Sequence, residues 1–120
     1  MIEIGEYSSH SYYDRGGFWD DKKEYRLALE DYSKAVEIDP NNFISYNARG
    51  LTRQKINDHQ GAIDDFTKVI LLDPNMMGVE AYYYRGLSKL KLNNKYGACE
   101  DFRKSNGWGD KELKEICNKK

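Results

Sequence analysis

Apolar residues in this chain fall in short stripes at helical spacing, and the stripes recur. Leu27, Ala28, Tyr32, Ala35, Val36 and Ile38 form one over 24–38, Ala62, Ile63, Phe66, Val69 and Ile70 a second, and Ala98, Cys99 and Phe102 a third. Ahead of each runs a segment marked by a glycine: Gly16 within 10–21, Gly50 beside Tyr46 and Leu51, and Gly86 beside Tyr82, Leu87 and Leu90. Gly16, Gly50 and Gly86 share one column, Ala28, Ala62 and Ala98 a second, and Tyr32, Phe66 and Phe102 a third, at offsets of 34 and then 36 residues. A period of this length marks stacked helix pairs. The pattern predicts a lead-in at 1–8 and three units at 9–42, 43–78 and 79–109.

Breaks fall where this plan needs them. Asp39-Pro40 and Asp73-Pro74 close the first two units, because the residue before a proline is pushed out of helical geometry. Asn57-Asp58 and Asn93-Asn94 separate the helices within the later pairs. Four residues, 75–78, stand where the first junction has only Asn41 and Asn42, so the third unit is expected to start two residues late. Gly107 and Gly109 end the sixth helix, and 110–120 predicts a seventh. Asp110 is its expected N-cap, with Leu113, Ile116 and Cys117 on one face and lysines at its end. A stack open at its end needs such a cap. Adjacent Gly16 and Gly17 cost a helix about 1 kcal/mol each relative to alanine. Gly17 stands where the other units have Leu51 and Leu87, so the first helix is expected to be the loosest.

Composition narrows the function. The chain has 120 residues, 39% hydrophobic and 32% charged, with net charge -1. That is one domain without the basic excess that drives binding to nucleic acid. No apolar run nears the roughly 18 residues that cross a bilayer, and the opening residues lack the pattern of a secretory signal. The expectation is a cytoplasmic protein with neither nucleic acid nor membrane as partner.

The glycine, alanine and aromatic columns with their closing Asp-Pro resemble the tetratricopeptide repeat, from about Ser9 to the C-terminus. That resemblance implies an all-α solenoid of three antiparallel helix pairs plus a capping helix. No cofactor is expected, and no metal, because His10, His59 and the two cysteines do not stand at ligand spacing. The chain departs from the family pattern at Arg15, Arg49 and Arg85, where a large apolar residue usually precedes the glycine. The aromatic usual three residues after the glycine is kept as Trp19 and replaced by Arg53 and Lys89, and Asp110 stands at the third closing proline. Sixteen residues after each arginine comes an acid, Asp31, Asp65 or Asp101. Arginine's planar fork suits a partly buried carboxylate, and we expect a ladder of ion pairs between first and second helices.

First helices of such a stack line a concave face. The partner-binding groove is expected at Tyr13, Ile44, Asn47, Leu51, Gln54, Tyr83 and Leu87, with the Asn47 amide available to a peptide backbone. The expected function is a non-catalytic module or scaffold that binds a segment of another protein. The alternative is a self-associating structural protein, a homo-oligomer in which the groove or first helix packs against another copy. Family members that grip acidic heat-shock chaperone tails use lysine, arginine and asparagine at set groove positions. Tyr13, Gly17, Ala48, Glu80 and Tyr84 stand there, which argues against that ligand.

Catalysis finds little support. His10 and His59 are isolated and read as solvated. The acid pairs at 20–21, 64–65 and 100–101 recur with the repeat and read as outer faces, and no phosphate loop or nucleophile motif appears. Cys99 and Cys117 could meet between the last helix and the cap. A reducing cytoplasm favours two small buried thiols instead.

Overall fold

The computed structural model describes residues 7–118. Residues 1–6 of the expected lead-in and the last two of the expected cap lie outside the described residues. Six helices form three antiparallel pairs: α1 (Ser9–Asp21) with α2 (Tyr25–Ile38), α3 (Phe43–Lys55) with α4 (His59–Leu72), and α5 (Met77–Lys91) with α6 (Lys95–Lys104). The second helix of each pair packs on the first helix of the next, and α1, α3 and α5 touch in sequence. The result is an all-α solenoid with the first helices side by side. No described helix is long and apolar enough to cross a membrane.

Short polar side chains start four of the six helices, α1, α3, α4 and α6. Ser8, Asn42, Asp58 and Asn94 accept hydrogen bonds from the backbone N–H groups of Ser11, Ser45, Gly61 and Gly97, which satisfies donors that have no partner inside the helix. The turn within each pair places one residue in the left-handed region, Lys23 at φ 62°, Asn57 at 66° and Asn93 at 66°. Asparagine tolerates that geometry and lysine does so less readily.

The glycine and aromatic columns meet in space. A Cβ at Gly16 would lie 2.6 Å from Cε1 of Tyr32, one at Gly50 3.0 Å from Phe66, and one at Gly86 2.6 Å from Phe102. Each first helix can therefore lie against the aromatic ring of its own second helix only without a side chain there. Gly17 meets nothing nearer than the Tyr32 hydroxyl at 3.8 Å, so no close approach requires it. Val36, Tyr46, Ala62, Phe66, Val69, Ile70 and Ala81 form the central core, built on the middle pair with one residue from each neighbouring pair.

Several expectations need correction. Leu27 and Ile38 are exposed although they belong to the apolar stripe of α2; the buried set is Ala28, Tyr32, Ala35 and Val36. The stripe in contact is narrower than the stripe in the sequence, because each residue turns about 100° around the helix and edge positions face water. The residues inserted after Pro74 do not delay the start of the third unit's first helix; they lengthen α5 to 15 residues against 13 in α3, and only the columns from Gly86 onward fall later. The Met77 N–H donates to Asp73 Oδ2 at 3.0 Å, and α5 begins at Met77.

The cap is also less regular than expected. A single α-turn, α7 (Asp110–Glu112), runs into a π-turn over Leu113–Cys117. Gly109 holds the N-cap position and Asp110 lies inside the helix. Leu113, Ile116 and Cys117 are half-buried. Cys99 and Cys117 are joined in a disulfide, with Cα atoms 5.8 Å apart, rather than remaining two buried thiols. Contact between α6 and the π-turn brings their backbones within bonding range.

Candidate functional site

Charge organises each helix pair. Arg15 Nε and Nη2 donate to Asp31 at 2.8 and 2.9 Å. Arg49 Nε and Nη2 donate to Asp65 at 3.0 and 2.8 Å, and Arg85 makes the same fork to Asp101 at 2.8 Å on both arms. The aspartates are buried, so Asp65 and Asp101 are not part of an outer acidic face, whereas their neighbours Asp64 and Glu100 are exposed. Asp65 also receives Arg53, and Asp101 receives Lys89. Burial raises the Asp65 carboxyl pKa against the pull of Arg49 and Arg53. Arg85 is raised instead, chiefly by its hydrogen bonds to Asp101.

The arginines also tie neighbouring pairs together. Arg49 Nη1 donates to Ser33 Oγ at 3.1 Å and Arg85 Nη1 to Thr67 Oγ1 at 3.0 Å. Both hydroxyls sit two residues past the aspartate of the preceding pair. Arg49 and Arg85 therefore each hold their own second helix with one edge and the previous second helix with the other.

On the face made by the first helices, two clefts meet at Gln54. One, of about 460 Å³, is lined by Tyr13, Leu51, Gln54 and Lys55, with Tyr32 and Ala48 behind. The other, of about 400 Å³, is lined by Gln54, His59, Leu87, Leu90 and Lys91. Gln54 Nε2 donates to the Tyr84 carbonyl and to Ser88 Oγ, both at 2.8 Å, so its side chain is fixed across α3 and α5. Lys55 pairs with Asp20 at 3.0 Å and closes one end of the first cleft.

This geometry groups the expected groove residues unevenly. Tyr13, Leu51 and Gln54 share one cleft, and Gln54 and Leu87 share the next. Ile44 is exposed and lines neither. Asn47 Oδ1 is buried without a partner, so that oxygen is not presented to a ligand. Tyr83 faces the cap: its hydroxyl donates to Glu112 Oε2 at 3.1 Å and its ring lies 6.0 Å from Trp108. Burial and that bond to Glu112 raise its pKa above the ordinary 10.0.

Sequence reading missed His59. Its Nδ1 lies 3.2 Å from Ser88 Oγ, so it is not simply solvated. The pair is not a nucleophile and its base, because Ser88 is fully buried and its oxygen already accepts from Gln54. Gln54 and Ser88 lie 34 residues apart whereas the columns of their two repeats are offset by 36, so no column of the repeat signals the contact.

Two family models match the sequence, one described as TPR repeat over residues 21–57 and one as tetratricopeptide repeat over 44–76. No curated protein matches by sequence. Among solved structures, the chain is similar to the second TPR of Spaghetti (RPAP3) bound to HSP90 peptide SRMEEVD. The TM-score is 0.77 at 27% identity, over 82% of this chain and 90% of that one. It is similar to the Arabidopsis OM64 TPR domain, with TM-score 0.76 and 26% identity over 93% and 86%. The Sgt2 TPR domain from Aspergillus fumigatus gives 0.74 and 26% over 84% and 68%. Residues 21–76 are thus matched as tetratricopeptide-repeat sequence, and the helices fit about three such repeats plus a C-terminal helix. The chain is a protein-interaction module, of a kind that is generally non-catalytic.

Proposed function

We propose that the chain binds an extended or helical segment of another protein on the face made by α1, α3 and α5, centred on Tyr13, Leu51, Gln54 and Leu87. The observation that carries this is the pair of clefts joined at Gln54. A side chain fixed at both donor hydrogens forms a rigid divide with apolar walls on either side, and such preorganisation lowers the ordering cost of binding. Tyr13 supplies a stiff aromatic anchor, and Leu51, Leu87 and Leu90 supply apolar contact.

The ligand class of the RPAP3 domain does not transfer directly. SRMEEVD is rich in acid, and Glu80 stands at one of the positions where family members place a cation. We propose that this peptide is not the ligand.

The test is affinity capture from a lysate, comparing the wild type with a Leu51→Glu, Leu87→Glu variant of unchanged circular dichroism. A protein held by the wild type and lost by the variant is expected. Equal capture by both, or saturable binding of SRMEEVD at micromolar concentration, would overturn the respective parts of the proposal. Recovery of the chain alone would favour self-association.

A further inference from the structure

A third cleft, of about 640 Å³, lies at the opposite end of the first helices, between the N-termini of α3 and α5 and the loop from α6 to α7. Eleven residues along α3 separate Phe43 from Gln54, or about 16 Å at 1.5 Å per residue. This is therefore a different place from the clefts at Gln54. Its apolar walls include Phe43, Met76, Met77 and Trp108, and its acidic groups are Asp73 and Glu80.

Unlike the other clefts, it comes from what is irregular in this chain. The residues inserted after Pro74 make its near wall, and the break at 106–109 makes its far wall. Both are fixed. The Gly78 N–H donates to the Asp73 carbonyl at 2.7 Å, and the Met77 N–H to Asp73 Oδ2. Gly78 sits so close to the end of α4 that a Cβ would meet backbone atoms of Asp73. On the far side, buried Ser105 accepts the Gly109 N–H at 2.9 Å and donates to the Phe102 carbonyl at 2.6 Å. Trp108 is braced 6.0 Å from the Tyr83 ring and 6.2 Å from the Tyr84 ring.

Held this way, Met76 is 77% exposed and Trp108 49% exposed. Turns whose backbone is already held can present large apolar groups to a partner without a backbone ordering cost. Methionine also adapts to the shape of what it meets. The cleft has no lysine or arginine in its lining, and among the described residues neither Asp73 nor Glu80 is in an ion pair. An apolar floor beside two carboxylates that no side-chain cation pairs, one of which also accepts the Met77 N–H, selects a cation next to an apolar group.

We propose that this cleft is a second docking site, which takes a Leu, Met or aromatic side chain flanked by Lys or Arg from a partner protein. Met76 and Trp108 hold the apolar side chain, and Glu80 with Asp73 holds the adjacent positive charge. This site is separate from the groove at Gln54, and either can exist without the other.

The chain has three methionines, so labelling their methyl groups with carbon-13 gives a sparse spectrum in which Met76 and Met77 report on the cleft. The probes are capped hexapeptides carrying Leu, Met, Phe or Trp next to Lys, next to Glu or next to Ser. The Lys set is expected to shift both methyl signals saturably, at least tenfold more tightly than the Glu set. Glu80→Lys is expected to reverse that order. Met76→Ala removes a side chain with almost no packing and is expected to weaken the Lys set about tenfold without unfolding. Leu51→Glu is expected to leave these shifts unchanged, which separates this site from the proposed groove. Absence of shifts, equal binding of all three sets, or shifts caused by raising the concentration of the chain alone would overturn the proposal. The last of these would assign the cleft to a second copy.

Discussion

Gly86 and Phe102 occupy neighbouring space so closely that one methyl group cannot be added. A Cβ there lies 2.6 Å from the ring edge, and the ring is 1% exposed with nowhere to move. Gly86→Ala is expected to destabilise the fold by about 1–3 kcal/mol, read as a lower midpoint in urea. Gly17→Ala makes only an ordinary van der Waals contact, with the Tyr32 hydroxyl at 3.8 Å, and is expected to stabilise by up to about 1 kcal/mol. This contrast was legible in the sequence, because Gly86 shares its column with two other glycines and Gly17 aligns with leucines. Other residue-scale features were not legible. Asn47 and Tyr83 sit at groove spacing, yet one turns its oxygen inward and the other leans on the cap. Periodicity gives the face of a helix and says nothing of what a neighbouring loop brings to that face.

Among the elements, the ladder decides how helices are joined. Asp65 is 1% exposed and bound by two arginines, so Asp65→Ala leaves both cations without their buried partner. The expected loss is about 3–5 kcal/mol. Arg15 has a side chain 52% exposed while that of Asp31 is 6% exposed, so Arg15→Leu strands a buried carboxylate beside a water-reached edge and is expected to cost about 1–3 kcal/mol. Equal losses at both positions by chemical denaturation would contradict the burial gradient. The 16-residue step from arginine to aspartate is visible in the sequence. The reach of Arg49 and Arg85 to hydroxyls on the preceding pair is not, because it depends on how pairs rotate against each other.

The cap supplies a pH test at the same scale. Tyr83 donates to Glu112, and its folded pKa lies above the unfolded 10.0. A raised folded value means the fold holds the proton more tightly, so this contribution is complete below pH about 10 and is lost as pH rises through the folded value. Thermal midpoints are expected to fall more steeply above pH about 10 in the wild type than in Tyr83→Phe. Identical slopes would mean that the contact contributes nothing. The irregular cap itself escaped sequence reading: Asp110 has the chemistry of an N-cap, but Gly109 takes that position and a disulfide ties the following π-turn to α6.

For the whole molecule, three pairs in register create one continuous face from α1, α3 and α5, and that face was foreseeable once the repeat was recognised. Its division into two clefts at Gln54 was not, since Gln54, Ser88 and His59 come from three helices whose contacts no single period encodes. The account rests on this face, and not the outer one, being where a partner sits. Site-specific photo-crosslinking tests that most directly: benzoylphenylalanine replaces Leu51 on the inner face in one chain and Tyr96, 77% exposed on α6, in another. The account predicts a discrete adduct with another protein from position 51 and none from position 96. Adducts from position 96 alone, or from position 51 only to a second copy of this chain, would contradict it.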